Sequence, residues 1–179
     1  KCHQLDFCGP RRHAQAMISY AFEDSDDKLI GVWLARKTGF NSIDFDSVVN
    51  ITDKVHDNRL VSFNLPEGEW KIITLVSSYK GGEKETEGYL NPLLPEATDV
   101  LINTVYEPHY QHYAGEFGRT ILGFFSDEPR FGNLHGASAS IGRDPMPLPW
   151  REDLPELLAE RSISGTQGTE DIKNLLPLL

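Results

Sequence analysis

Phe117-Gly118-Arg119-Thr120-Ile121-Leu122-Gly123-Phe124-Phe125-Ser126-Asp127-Glu128-Pro129 carries the sharpest signal in the chain. Ile121 to Phe125 is a continuous apolar run, the pattern of a strand covered on both faces. Only Gly118 and Arg119 separate it from a helical pattern upstream. There Ile102, Tyr106, Tyr110, Tyr113 and Phe117 are spaced four, four, three and four, an amphipathic stripe. Pro95 suits the first helical turn and Glu96 its positive end. Pro108 lies inside the stripe and predicts a kink or local distortion, and Gly115 and Gly118 mark the helix end. Further upstream, Trp70-Lys71-Ile72-Ile73-Thr74-Leu75-Val76 is a strand pattern. Strand 70–78, helix 95–117 and strand 120–125 then form a β-α-β unit, which requires a parallel sheet.

The segment before Trp70 is rich in strand patterns. Residues 14–22 alternate, with Ala16, Ile18, Tyr20 and Phe22 on one face. Asp24-Ser25-Asp26-Asp27 is a polar turn. Leu29 to Ala35, Ile43 to Ile51 and Leu60 to Leu65 are successive strand patterns, the last after a His56-Asp57-Asn58 turn. Pro66-Glu67-Gly68-Glu69 is a further turn before Trp70. Short strands with tight turns predict an antiparallel meander. The resulting expectation is an α/β chain in three parts. Residues 1–27 hold a barrel strand and connecting loop, 28–69 a β-rich insertion, and 70–179 the β-α-β portion with a long loop and terminal helices. The architecture is a partial (β/α)8 TIM-type barrel carrying an antiparallel β-rich insertion.

Composition narrows the partners. The 179 residues include 17 Lys and Arg against 27 Asp and Glu, a formal charge of −10. Nucleic acids and anionic membrane surfaces demand clustered cations, so neither is expected as a partner. No apolar run approaches the roughly 20 residues of a bilayer span. Cys2 and Cys8 read as free thiols near a ragged end; the alternatives are a local disulfide, which would close a very short loop, and a metal site, which would need His3 or His13 and lacks zinc-knuckle spacing. No metal site is expected. Lys1-Cys2-His3 at one end and the apolar Leu175 to Leu179 at the other read as cut ends, so the chain is expected to be an excerpt of a longer protein.

Chemistry points to Asp127 and Glu128. Side chains at the C-terminal ends of parallel barrel strands are where such enzymes place their functional groups. Pro129 restricts Glu128 to extended backbone. Breaking a glycosidic bond takes a proton donor and a second carboxylate acting as base or nucleophile, and an apolar wall or a like charge can raise a carboxyl pKa enough to make it the donor. Glu128 is therefore the candidate acid. Asp127 projects to the opposite side of the strand and is assigned, with Arg130, to orienting the acid or binding substrate. The bland alternative is that the two carboxylates only end a strand and cap a helix. Trp150 either stacks on a sugar ring or staples the helix beginning near Asp153. Trp33 and Trp70 sit in strand patterns and are expected to be buried. Tyr106, His109, Tyr110, His112 and Tyr113 read as core in preference to a metal or sugar site.

Residues 88–131 resemble the central signature of a bacterial sugar-hydrolase group, the α-L-rhamnosidase-like enzymes numbered 106 among glycoside hydrolases. The resemblance is carried by Gly88-Tyr89-Leu90-Asn91-Pro92-Leu93-Leu94-Pro95-Glu96-Ala97, Tyr106-Glu107-Pro108-His109-Tyr110, Phe117-Gly118-Arg119-Thr120-Ile121 and Gly123-Phe124-Phe125-Ser126-Asp127-Glu128-Pro129. Pro66-Glu67-Gly68-Glu69-Trp70 and Leu148-Pro149-Trp150 match further landmarks. It implies a large barrel with extra β domains, cleavage of terminal sugars, calcium binding in some members, and Glu128 as general acid; retention or inversion stays open, with inversion favoured where the resemblance is tight. The partner is then a carbohydrate, and the location bacterial, cytoplasmic or secreted. The chain ends before later barrel strands could supply the second carboxylate, so residues 1–179 alone are expected to be inactive. Their exposed strand edges are expected to favour a homo-oligomer. The rival expectation is a non-catalytic carbohydrate-binding β module using Trp33, Trp70 or Trp150 as its stacking platform.

Overall fold

The computed structural model describes residues 1–40, 42–57, 59–79, 89–126 and 149–161. Among the described residues five strands form one sheet: β1 (Cys2–Met17), β2 (Lys28–Arg36), β3 (Val49–Asn50), β4 (Val55–His56) and β5 (Leu60–Ser77). Their order is β1-β5-β2-β3, with β4 also on β5, and every pairing is antiparallel. A 22-residue helix follows, made of α1 (Pro95–Leu101), a π segment (Ile102–Tyr106), α2 (Glu107–Tyr113) and a final 3-10 turn (Ala114–Glu116). The last described element is α3 (Leu154–Arg161).

The chain is thus not a partial (β/α)8 barrel. Trp70 to Val76 lies in the C-terminal half of β5, with β1 hydrogen-bonded on one side and β2 on the other. Both edges are taken, so no parallel strand can join there. Ile121 to Phe125 forms no strand, and its one ladder contact is an isolated bridge from Phe117 to Ile121. Leu122 and Phe125 are 87% and 89% exposed. The run has the composition of a buried strand and lacks a partner among the described residues.

β5 is the spine of the sheet. Pro66-Glu67-Gly68-Glu69, expected as a turn, lies inside this single 18-residue strand. The register explains how. From Gly9↔Gly68 to Arg11↔Leu65, β1 advances two residues while β5 advances three; from Arg11↔Leu65 to Ala14↔Phe63 the imbalance reverses. The first bulge flips the phase of β5. Val61, Phe63 and Leu65 before it, and Trp70 and Ile72 after it, therefore reach one core, joined by Val32 and Leu34 of β2 and Ala16 of β1. Gly68 takes φ +117° at the bulge, a region open to glycine. Phe7 and Phe63 meet edge to face at 5.3 Å within the core. The segment expected to be a ragged end is thus strand β1, which carries Cys2 and Cys8 as free thiols.

Ile43 to Ile51, expected as a strand, contributes only the two residues of β3. Polar side chains take over the edge of β2 instead: Thr52 Oγ1 accepts from the Val32 N–H at 2.9 Å, and Ser47 Oγ from the Arg36 N–H at 2.8 Å. Asp44 turns the chain into a 3-10 helix at Phe45–Ser47 by accepting from the Asp46 N–H. Short polar side chains that bond nearby backbone compete with a ladder. The opposite face of the sheet carries an ionic cluster. Asp6 pairs with Lys37 at 2.5 Å and Lys71 at 3.0 Å, and Lys71 also donates to Gln4 at 2.8 Å.

Candidate functional site

Asp127, Glu128 and Arg130 lie outside the described residues. The chain leading to them is described as far as Ser126. At the end of the helix Glu116 collects the turn: its carbonyl accepts from the N–H groups of Arg119, Thr120 and Ile121, and its carboxylate from the Thr120 hydroxyl. Gly118 takes φ +80°, and its N–H reaches the Ile121 carbonyl at 2.9 Å. The turn sends the following segment back along the helix. Phe124 packs edge to face on Tyr106 at 4.7 Å and on His109 at 6.1 Å, with Phe117 at 5.8 Å. His109 is itself fixed, its Nδ1–H donating to the Val105 carbonyl at 2.6 Å. The aromatic stripe expected in the core is therefore a surface cluster that holds Phe124 three residues before Asp127. No residue of α1, the π segment or α2 is buried.

Trp150 is half-buried, and its carbonyl accepts from Asn91 Nδ2 at 2.6 Å. Next to it Arg151 donates to the Leu93 carbonyl at 2.9 Å and forms a two-point ion pair with Asp153. Hydrogen bonding from Arg151 holds the Asp153 carboxyl below its ordinary pKa. Asn91 Oδ1 also accepts from the Leu93 N–H at 3.0 Å. The Trp150 segment thus ties the turn before α1 to the start of α3, an anchoring role. Trp33 and Trp70 are 1% and 8% exposed, so neither ring is available to a ligand. The Trp70 indole N–H is spent on the Pro66 carbonyl at 3.2 Å.

Of the open depressions on the described surface, two adjoin the sheet. The larger, about 700 Å³, lies between Met17, Phe22, Asp24, Asp27, Asp57 and Arg59. Asp27 is not free to act there. Its side chain is fully buried and its Oδ2 closes the Glu23–Asp27 turn by accepting from the N–H groups of Glu23 and Asp24. Burial pushes its pKa up, and the hydrogen bonds of Ser78, Asp24 and Glu23 with the charge of Lys1 outweigh that and hold it down. Among the described residues no three His, Cys, Asp or Glu side chains converge as a metal site, and no described helix is long and apolar enough to cross a membrane.

The smaller depression, about 290 Å³, lies over the β1 bulge between His13, Gln15, Lys54, Ser62 and Asn64. Nothing in the spacing of these residues announces it, because the strand register assembles them. No protein-family model, curated protein or solved structure matches the chain.

Proposed function

We propose that this chain belongs to a glycoside hydrolase that removes terminal sugars by carboxylic-acid catalysis, with Glu128 as the proton donor and Asp127 and Arg130 orienting it. The observation that carries this reading is the Phe125-Ser126-Asp127-Glu128-Pro129 sequence within the α-L-rhamnosidase-like signature. The docking of Phe124 on Tyr106 supports it, because a rigid approach favours a positioned acid. Acid catalysis does not require a barrel. It requires a second carboxylate about 5–5.5 Å away for retention, or about 6.5–9.5 Å for inversion. Burial of Trp33 and Trp70 leaves the rival sugar-binding module without two of the three rings it would stack on.

The test compares the intact natural protein with its Glu128→Gln variant on a panel of aryl glycosides that includes an α-L-rhamnoside. The substitution keeps shape and removes the transferable proton. A fall in kcat of about 10²–10⁴-fold with unchanged folding is the expected result. Near wild-type turnover by Glu128→Gln would make Glu128 structural. Absence of turnover by the wild type on every glycoside would remove the hydrolase reading.

A further inference from the structure

We propose that the trough over the β1 bulge binds a small oxyanion, a carboxylate or phosphate group, through Lys54, His13, Asn64, Gln15 and Ser62. The inference is independent of the hydrolase reading. Strand register sets the site. Gln15 of β1 faces Ser62 of β5, and Val55 faces Val61, so Lys54 comes alongside Ser62 from the other flank. Asn64 is two residues along the same outward face of β5. His13 occupies the extra position of the second bulge, where β1 advances three residues against two of β5.

The bulge gives His13 a φ of +52°, uncommon for any residue but glycine. Asn64 stabilises that conformation, its Oδ1 accepting from the His13 N–H at 2.9 Å. With that oxygen engaged, the part of the Asn64 amide left to meet a ligand at the trough is its donor nitrogen. Gln15 Nε2 lies 3.5 Å from Ser62 Oγ. The Lys54 ammonium, the His13 ring and Asn64 Nδ2 make no hydrogen bond or ion pair among the described residues. Among the described residues no carboxylate lines the depression, although acidic residues outnumber basic ones 27 to 17 in the chain. A concave set of donors with one cation and, among the described residues, no anion selects an oxyanion, since hydrogen bonds from a charged donor to oxygen are the strong ones.

The test is calorimetric titration of the intact protein with inorganic phosphate and, separately, with acetate, at one ionic strength held with chloride. One-to-one saturable binding of at least one anion is expected. Tighter phosphate binding assigns a phosphate-bearing ligand and tighter acetate binding a carboxylate. Lys54→Ala should weaken the preferred anion about tenfold. Asn64→Asp should abolish binding, because it keeps an oxygen for the His13 N–H while adding a negative charge. Both substitutions are on exposed side chains, and melting temperatures report that the fold is intact. Binding of neither anion, or wild-type affinity in both variants, would overturn the proposal and leave the trough as solvated surface.

Discussion

A Cβ built on Gly9 would lie 1.8 Å from the Pro66 carbonyl oxygen, backbone that cannot swing aside as a side chain can. Gly9 pairs with Gly68 at the bulge where β1 and β5 change phase, so their close approach there is a condition of the shared core. Gly9→Ala should therefore cost at least about 2 kcal/mol, at the upper end of overpacking penalties, measured by urea unfolding with the m-value unchanged. A loss below about 0.5 kcal/mol would mean that β1 can shift away without disturbing the core. Val61, Phe63 and Leu65 could be read from their alternation, and the burial of Trp33 and Trp70 from their strand context. The bulges could not. Pro66-Glu67-Gly68-Glu69 has turn chemistry, and a glycine with positive φ serves a bulge as well as a turn.

Pro108 shows the same division at the level of an element. The sequence places a helix over residues 95–117 and a distortion at the proline, and the structure has a helix over 95–116 with a five-residue π segment just before it. Proline has no N–H to give the Thr104 carbonyl, and its ring crowds that carbonyl. Widening the turn accommodates both, and Glu107 donates to Ile102 in the i to i+5 pattern. Pro108→Ala should restore α-helical register through residues 102–106 and stabilise the helix by about 1–3 kcal/mol, seen as greater hydrogen-exchange protection of residues 104–108. Unchanged protection would show that surrounding contacts, and not the proline, impose the π segment. The element that failed to form is equally instructive. Ile121 to Phe125 has strand composition, yet a strand exists only where another edge accepts its hydrogen bonds.

At the scale of the molecule, Asp6 links three parts of the chain: β1 itself, Lys71 of β5 and Lys37 beyond β2. Burial pushes the Asp6 pKa up, and the hydrogen bonds and charges of Lys37 and Lys71 together outweigh it and hold it below the ordinary aspartate value. A carboxylate with a lowered folded pKa stabilises above its unfolded value and loses that contribution as pH falls through the folded one. Stability from this cluster should therefore be complete above about pH 5 and fall progressively as the solution is acidified below the ordinary aspartate pKa. Asp6→Asn should lower the melting temperature at pH 7 and flatten its decline below pH 4. A variant whose acid profile parallels the wild type would show that other carboxylates control acid unfolding. The proposal of Glu128 as an acid rests on sequence chemistry alone, a carboxylate pair followed by proline. The trough over the β1 bulge was invisible in the sequence, because the residues that line it come from β1, β5 and the turn before β4 and share no motif.

Periodicity records which side of a segment is buried, and from it the chain's linear order yields strand patterns at 29–35, 60–65 and 70–76, the helix with its strained proline, and the buried tryptophans. Pairing is a different kind of information. Strand edges offer nearly interchangeable rows of donors and acceptors, and the choice among them depends on which faces can be covered together. Here β1 and β2 occupy both edges of β5, which joined two predicted strands into one and left Ile121 to Phe125 without a ladder. That competition for edges produced an antiparallel sheet where local patterns implied a parallel one, and it can be resolved only when the whole chain is folded.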